Sequence, residues 1–369
     1  MTTNCRLSVI VPGYNNPAEL WTRCVRSVVS ACEQVKVFGG AGVEVICVDD
    51  GSTREALEEG LLEGLKTDGV EIRLLRLPQN RGLAGARNAA REIARGEFVT
   101  FVNSDDEVLP ETFARCLEQL ERTRADVCFY GVKSVWFKDG LVKIDRPENR
   151  YYGALTPRDV KEIYEAHLLN YSCNKVYRRE SLGGLRSSEG LGSLDGLGGS
   201  GCSEGLGAEC GGMDGCRKLG SSTLQISSSP ALAELRFTLD GMPCEDIIFN
   251  LSVIMAGAKY CSVDYVGYVY YRGATTILSS YCKTFVAGMR KASDTWKRYK
   301  EVTPGAREVL GDLGEMSEAA LARAEKRNLL RPRSPLWYAP IYCLLRRLLY
   351  IRPVRRWHLK RTFPRISEE

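Results

Sequence analysis

The chain has 369 residues, a formal net charge of +5 (51 Lys and Arg against 46 Asp and Glu), 44% hydrophobic residues and only two His. A chain of this length buries enough apolar surface to fold without a disulfide or metal staple. No two of its 14 Cys form a Cys-x-x-Cys pair, so we expect neither a disulfide framework nor a zinc ribbon, and we interpret the cysteines as reduced thiols in a cytoplasmic protein. With His167 and His358 alone, a Ser-His-Asp triad or a His-rich metal site is not expected.

The strand-like run Leu7–Val11 comes directly after the first six residues, which leaves no room for the basic and apolar regions of a signal peptide. No stretch reaches the eighteen or so apolar residues that a membrane-spanning helix requires. We therefore expect neither a leader nor a spanning segment.

Short apolar, β-branched runs alternate with segments of helical spacing as far as about Tyr130. The strand candidates are Leu7–Val11, Val43–Val48, Glu71–Leu75, Phe98–Val102 and Val127–Tyr130. The helix candidates are Ala18–Ser30 (with Trp21, Val25, Val28 and Val29 on one face), Arg54–Leu65, Ala84–Ala94 and Thr112–Arg122. This alternation predicts an α/β fold with a mainly parallel sheet covered by helices on both faces.

Polar clusters come after three of these strands: residues 12–16, 49–52 and 103–106. Ligands of open parallel sheets bind at the carboxyl ends of the strands. The three clusters are therefore expected to converge on one rim, where the chemistry should lie.

The second half begins with strands and a helix over 132–180. The composition then changes: residues 183–229 hold 14 Gly and 10 Ser in 47 positions. Such a segment cannot bury enough apolar area to offset its ordering entropy, so we interpret it as a disordered linker, with a binding loop as the less favoured alternative. Beyond it we expect a helix from Cys244 to Ala256, strands at 259–263 and 265–271, and a helical stretch at about 283–328.

Residues 331–369 carry ten Lys and Arg against two acids, so this tail has a net charge of +8 and the remaining 330 residues carry −3. Within it, basic residues alternate with Trp, Tyr and Leu. That pattern favours an interfacial segment on an anionic membrane over 331–365. A helix that packs on the rest of the protein is the alternative.

Asp105 and Asp106 are adjacent carboxylates that repel each other unless a positive group neutralises them. Hard oxygen ligands at a strand end suit Mg²⁺ or Mn²⁺, which complete their shell with water and substrate phosphates. A helix N-cap at Asp106 is an equally open interpretation. Asp49 and Asp50 can likewise accept from a nucleobase, or belong to a turn in which Ser52 or Thr53 caps the next helix.

Four motifs together carry more information than each alone. They are Val-Pro-Gly-Tyr-Asn-Asn (11–16), Val-Asp-Asp-Gly-Ser (48–52), Asn-Arg-Gly-Leu-Ala-Gly-Ala-Arg-Asn (80–88) and Phe-Val-Asn-Ser-Asp-Asp (101–106). In order and spacing the chain resembles the family 2 glycosyltransferases of bacterial cell-surface polysaccharide synthesis. Further segments of the resemblance are 172–180, 245–249 and 268–272. The resemblance implies a GT-A fold, here with a helical, basic carboxyl-terminal extension.

The resemblance also implies roles for single residues. Asp246 would be the catalytic base, supported by Glu245, and Asp105 and Asp106 would hold the metal, Mg²⁺ or Mn²⁺, with Asp105 also in the nucleotide site. The other nucleotide-site residues would be Pro12, Tyr14, Asn15, Asp49, Asp50 and Arg87. One departure is Asn103, where the family often has Asp. The insertion at 183–229 is another, and it could act as a lid or be a tolerated surface addition.

The implied reaction is a single inverting displacement, in which a sugar passes from a nucleotide-diphosphate donor, UDP-linked by analogy, to a hydroxyl of a polysaccharide or lipid-linked glycan. A non-catalytic sugar-nucleotide-binding or polysaccharide-assembly protein is the alternative. Nucleic acid is not an expected partner, because no recognition motif accompanies the basic tail. We expect the chain to divide into a nucleotide-sugar half (1–130), an acceptor half (131–282) and a helical region (283–369), located in the cytoplasm, with peripheral membrane contact through the tail.

Overall fold

A computed structural model describes residues 5–36, 42–136, 140–182, 235–237, 244–272, 284–322 and 367–368. The insertion predicted at 183–229 and the tail predicted at 331–365 lie outside the described residues. The central sheet, its flanking helices and the rim at the strand ends lie within the described ranges.

The first half of the sheet is parallel, in the order β3-β2-β1-β4. Its strands are β1 (Cys5–Gly13), β2 (Gly42–Asp49), β3 (Val70–Arg76) and β4 (Phe98–Phe101), and the helices between them are α1 (Ala18–Lys36), α2 (Glu59–Glu63) and α3 (Gly82–Ile93). The four predicted strands of this half are confirmed, each to within two residues at either end, whereas the strand predicted at Val127–Tyr130 continues to Trp136. β1, β2 and β4 are mostly apolar and almost completely buried, so they take the central place in the core, whereas β3 is a half-exposed edge strand.

The second half continues the sheet with a mixture of directions. Beyond β4 come β9 (Lys175–Arg178), β6 (Val127–Trp136), β7 (Leu141–Asp145) and β11 (Ser367–Glu368), while β10 (Lys259–Tyr271) runs parallel to β6 and antiparallel to β5 (Glu107–Val108) and β8 (Arg150–Ala154). The helices are α4 (Thr112–Thr123), α5 (Pro157–Glu165), α6 (Glu245–Met255), α7 (Thr284–Val302) and α8 (Ala306–Leu310), with short 3₁₀ helices at Leu168–Asn170 and Arg179–Leu182. The expected α/β fold is confirmed. The division expected at 130/131 falls within β6 and stays a prediction.

The amphipathic face predicted for α1 is confirmed. Trp21, Val25, Val28 and Val29 are each 5% exposed or less. Burying an aliphatic or aromatic side chain of this size contributes about 1.5–3 kcal/mol, so this face anchors the first polar rim loop to the sheet. Within the part of the chain that the structure describes, no helix is both long and apolar enough to cross a membrane.

The helix predicted at 54–65 is wrong over its first turn and a half, since α2 spans only Glu59–Glu63. Side chains take the backbone N–H groups that a helix would leave at its start. Asn15 Oδ1 accepts from Thr53 and Arg54 at 2.9 and 3.0 Å, and Asp49 accepts from Ser52 and Leu57 at 2.9 and 3.2 Å. Local helix propensity yields here to tertiary hydrogen bonds.

Two other predicted elements also have different bounds. The runs at 259–263 and 265–271 form the single strand β10, whose register against β6 shifts between Ser262 and Val266 and again before Tyr268. The helical stretch expected at 283–328 is interrupted after Val302, where Pro304 and Gly305 (φ 71°) end the helix.

Candidate active site

The carboxyl ends of β1, β2 and β4 meet as expected. Ser104, after β4, donates from Oγ to the Pro12 carbonyl at 2.8 Å. The Asn15 N–H, after β1, donates to Ser52 Oγ at 2.9 Å. Asp50 N–H donates to the Gly13 carbonyl at 2.9 Å. The three polar loops are thus cross-linked into one rim, and a ligand seated there would touch all of them.

Asp49 and Asp50 are both 3% exposed but have different surroundings. Asp49 pairs with Arg76 at 3.1 Å in addition to its two loop N–H groups. Asp50 accepts from the Arg81 N–H at 2.8 Å, and burial, with a smaller contribution from the charge of Asp49, raises its pKa to about 6. Neither Ser52 nor Thr53 caps α2, which begins at Glu59 after Glu58. Asp49 therefore orders the loop that follows β2 through its bonds to the Ser52 and Leu57 N–H groups.

Three of the predicted nucleotide-site residues, Pro12, Tyr14 and Asn15, differ in their exposure in the loop after β1. Tyr14 is 43% exposed, a large amount for an aromatic ring in a structured loop. Asn15 has φ 49°, a left-handed conformation that Asn tolerates better than most residues. Pro12 is buried at the end of β1. Tyr14 thus presents a ring to solvent while its neighbours fix the loop beneath it.

Asp105 and Asp106 face different environments. Asp106 is fully buried, and its carboxylate accepts from Tyr268 Oη at 2.8 Å, the Tyr271 N–H at 3.0 Å and Asn103 Nδ2 at 3.2 Å. Burial, with the charge of Asp105 second, raises the pKa of Asp106 well above its usual range. Asp105 is half-buried, and Arg23 donates to its backbone carbonyl. Asp106 does not cap α4, because that helix begins at Thr112 after Glu111.

This difference bears on the predicted metal. Both oxygens of Asp106 already accept protein hydrogen bonds, whereas Asp105 is only half-buried. Among the described residues, no group of three or more His, Cys, Asp or Glu is placed to hold a metal ion. Mg²⁺ commonly takes part of its oxygen ligands from water and substrate phosphates. Metal contact by Asp105 and by Asp106 stays a prediction.

Asp246 lies in the first turn of α6, and Arg87 joins it to the 103–106 loop. Its Oδ1 accepts from Arg87 Nη1 at 2.6 Å and from Ser172 Oγ at 2.7 Å. Its Oδ2 has no hydrogen-bond partner among the described residues, and the side chain is 22% exposed. Two protein donors therefore fix one oxygen of the carboxylate.

Glu245 precedes it and is almost enclosed. Its side chain is 11% exposed and its Oε1 lies 4.0 Å from Arg87 Nη1. Burial and then the charge of Asp246 raise the pKa of Glu245 to about 7, and Arg87 opposes both. Near neutral pH the two adjacent carboxyls therefore do not both carry a full charge.

We expect Glu245→Gln to flatten the pH dependence of stability. The folded-state pKa lies above the ordinary 4.5, so the stability that protonation of Glu245 contributes is complete below about pH 4.5 and is lost as pH rises through about 7. Glutamine does not titrate and is nearly the same shape. Urea unfolding at pH 5 and pH 8 should show the variant gaining on the wild type at the higher pH. An equal difference at both pH values would contradict the raised pKa.

Arg87, predicted near the nucleotide, is fully buried in α3. Besides Asp246 it reaches Asn103, with Nη2 at 3.0 Å from Oδ1. Its guanidinium lies 4.9 Å from the Phe237 ring centre and 5.7 Å from that of Phe101. The structure thus places Arg87 between the 103–106 loop and Asp246.

Sequence reasoning missed three contributors to the site. Tyr268 bonds Asp106, Ser172 bonds Asp246, and Lys175 holds the turn before Ser172. All three lie in segments of the family resemblance, at 172–180 and 268–272. That resemblance could have marked them, but nothing local to the sequence indicates their partners.

Comparisons with known proteins bear on the family and on the fold. The profile of glycosyl transferase family 2 matches residues 8–185. Poly(ribitol-phosphate) β-glucosyltransferase of Bacillus spizizenii is 28% identical over 173 residues, 44% of this chain and 26% of that protein. Poly(ribitol-phosphate) β-N-acetylglucosaminyltransferase TarS of Staphylococcus aureus is 30% identical over 186 residues, 48% of this chain and 30% of that protein. The chain thus spans less than a third of the length of either relative.

The crystal structure of S. aureus TarS 1–349 in complex with UDP-GlcNAc superimposes with a TM-score of 0.52 and 20% identity, covering 83% of this chain and 72% of that one. Sheet, rim and similarity define an α/β protein of the GT-A fold. Residues 8–185, just under half of the chain, form a glycosyl transferase family 2 domain, as the sequence motifs predict.

Proposed function

We propose that this chain is an inverting glycosyltransferase that moves a sugar from a nucleoside-diphosphate donor to a hydroxyl group of a cell-surface polysaccharide or lipid-linked glycan. Family membership supports the reaction class. The names of two relatives support a polyol-phosphate or related polymer as acceptor. The UDP-GlcNAc complex of a protein with the same fold supports a UDP-sugar donor.

The observation that carries this proposal is that protein donors bind only one of the two carboxylate oxygens of Asp246 among the described residues. A general base needs a fixed orientation and one oxygen within reach of the proton that it removes. Arg87 and Ser172 fix Oδ1, and Oδ2 has no partner among the described residues. Through Arg87 the residue is joined to Asn103 of the 103–106 loop, which supports a donor seated at that loop and a base beside it.

In the proposed step, Asp246 Oδ2 takes the proton of the acceptor hydroxyl as the hydroxyl oxygen bonds to the anomeric carbon. The bond from that carbon to the diphosphate oxygen breaks with its electron pair, and the nucleoside diphosphate leaves. A single displacement inverts the anomeric centre and needs no covalent enzyme intermediate. Glu245 lies behind the base as a buried support.

Asp105 would hold a divalent cation together with the donor phosphates. A bound Mg²⁺ or Mn²⁺ supplies positive charge for the departing diphosphate. Asp106 anchors the loop that presents Asp105, through its bonds to Tyr268 and the Tyr271 backbone. The remaining predicted nucleotide-site residues keep that proposed role: Pro12, Tyr14, Asn15, Asp49, Asp50 and Arg87. Membrane contact through 331–365 and a cytoplasmic location likewise stay predictions.

Nucleotide calorimetry tests the donor site. We expect UDP to bind more tightly than GDP or dTDP, as the UDP-GlcNAc complex of the same fold supports. We expect binding only with Mn²⁺ present, because a cation held by Asp105 would bind the diphosphate. Asp105→Asn should weaken metal-dependent binding by roughly 10-fold or more, as the loss of one charged ligand contact does. Asp294→Asn, which removes the same charge from an exposed position on α7, is the matched control and should bind as the wild type does.

Turnover is then measured with UDP-sugars and a polyol-phosphate or glycan acceptor. Transfer to the acceptor with inverted configuration supports the proposal. Metal-dependent UDP binding without transfer from any donor would favour the non-catalytic alternative. An absence of nucleotide binding in the presence of metal would remove the donor site itself.

A further inference from the structure

A continuous series of hydrogen bonds joins the proposed donor loop to the proposed base. It runs from Asp106 Oδ2 to Asn103 Nδ2 at 3.2 Å, from Asn103 Oδ1 to Arg87 Nη2 at 3.0 Å, and from Arg87 Nη1 to Asp246 Oδ1 at 2.6 Å. Asn103 and Asp246 are 143 positions apart in the sequence. The guanidinium of Arg87 touches both sides of this series.

Asn103 suits this position for a chemical reason. Its amide donates to Asp106 with one atom and accepts from Arg87 with the other, and a carboxylate could make only the second bond. Its backbone N–H also donates to Tyr268 Oη at 3.1 Å, and that hydroxyl in turn donates to Asp106. Asn103, which stands where the family often has Asp, thus forms hydrogen bonds through both its amide oxygen and its amide nitrogen.

Arg87 has little freedom to leave this arrangement. It is fully buried, and the rings of Phe101 and Phe237 lie beside its guanidinium. Leaving a buried cation without its carboxylate partner is strongly destabilising. Arg87 therefore either moves with Asp246 or holds it in place. A shift of the 103–106 loop would therefore reach Asp246 through a rigid, charged side chain.

We propose that Asn103 and Arg87 are positioning residues that transmit the placement of the donor loop to Asp246. The proposal rests on the proposed function, in which residues 103–106 contact the donor and Asp246 removes the acceptor proton. Through this link, the base is correctly oriented when the donor loop is in its bound position. Neither residue is assigned contact with the reacting atoms.

A double-mutant cycle in kcat tests the linkage. Arg87→Lys keeps a cation but can serve only one of the two partners, and we expect kcat to fall roughly 30-fold. Asn103→Ala cuts the series on the other side of Arg87, with an expected fall of roughly 10-fold. Because both break one linkage, the double variant should lie within about threefold of Arg87→Lys alone. The acceptor KM should change little in each.

Ser172→Ala is the matched control, because Ser172 bonds the same Asp246 oxygen without touching Asn103. The fold-decrease in kcat that Ser172→Ala causes should multiply with the fold-decrease that Asn103→Ala causes. If the bond to Asp106 is the essential one, Asn103→Asp should lower kcat as much as Asn103→Ala does. Thermal unfolding of every variant separates loss of the fold from loss of the orientation of Asp246.

Multiplicative effects of Asn103→Ala and Arg87→Lys on kcat would overturn the linkage, and so would an Asn103→Ala variant with unchanged kcat. A wild-type protein that transfers no sugar overturns the proposed function instead. If turnover survives in Asp246→Asn, Asp246 is not the base, and the proposed linkage has no catalytic group at its end. The three failures are therefore distinguishable in one set of assays.

Discussion

Asp246→Asn is expected to lower kcat by roughly 10³-fold, within the range that removal of a general base produces. Asparagine can still accept from Arg87 and Ser172 through its amide oxygen, so the side chain keeps its place. Its amide nitrogen, which would replace Oδ2, cannot take up a proton. Steady-state kinetics with a UDP-sugar and acceptor measure the loss, and calorimetry with UDP and Mn²⁺ should show donor affinity within about threefold of the wild type.

Two variants make this prediction specific. Ser172→Ala removes one of the two bonds to Oδ1 and should cost roughly 3- to 10-fold in kcat, the worth of one hydrogen bond. Glu245→Gln, next to Asp246 but enclosed, should cost less than Asp246→Asn by at least roughly 10-fold. If Glu245→Gln proved the more damaging of the two, the base would be Glu245, and Asp246 would be its support.

Lys175→Met is expected to be the most destabilising of the substitutions considered, with a loss of about 3 kcal/mol in the free energy of unfolding. The Lys175 ammonium is fully buried and donates to the Leu168 carbonyl at 2.8 Å, to Asn174 Oδ1 at 2.7 Å and to the Tyr171 carbonyl. Burial lowers its pKa to about 7. Methionine fills much of the space but removes the ammonium donor from Asn174 Oδ1 and one of the two side-chain donors from each carbonyl, which Asn174 and Asn250 otherwise bond alone.

Urea unfolding at pH 7 measures the effect. Lys161→Met is the control, since Lys161 is an exposed lysine on α5 whose distance to Glu165 is 3.9 Å. Its loss should stay within about 0.5 kcal/mol, as for most surface ion pairs. Similar losses for the two variants would show that the buried ammonium does not hold the turn.

The same turn connects stability to the site. It ends at Tyr171, next to Ser172, and Asn250 of α6 donates to its carbonyls at Leu169 and Tyr171 from the other side, at 2.8 and 3.0 Å. Lys175 and Asn250 therefore clamp the segment from which Ser172 reaches Asp246. The Lys175→Met protein that remains folded should accordingly lose kcat more than donor affinity.

The order of strands and helices, and the chemistry at the strand ends, could be predicted from the sequence. Apolar runs such as 43–48 and 98–102 are local signals, because a strand buried on both faces must be apolar along its whole length. The polar residues that end them, among them Asp49 and Asp105, converge because parallel strands finish at one edge. These inferences need only neighbouring residues, and the structure confirms the elements and their convergence.

Local signals did not suffice where side chains from distant segments take over backbone groups. The helix expected at 54–65 is the clearest case, since Asn15 and Asp49 bind the N–H groups at its start. No pattern within those twelve residues records that competition. Asp105 and Asp106 are likewise indistinguishable as neighbours in sequence, and only the approach of β10 buries one and leaves the other at the rim.

The pairing of atoms within the site depends on tertiary packing. Arg87 meets an acid 159 positions away, and Ser172 meets the same oxygen from a third segment. A family motif can mark such residues, but it does not state which atoms meet. Hydrogen-bond partners are selected when the sheet and helices pack, because a buried polar group must then find a partner among whatever groups the fold brings near. The reaction class could thus be inferred from the sequence, whereas the link between donor loop and base became visible only in three dimensions.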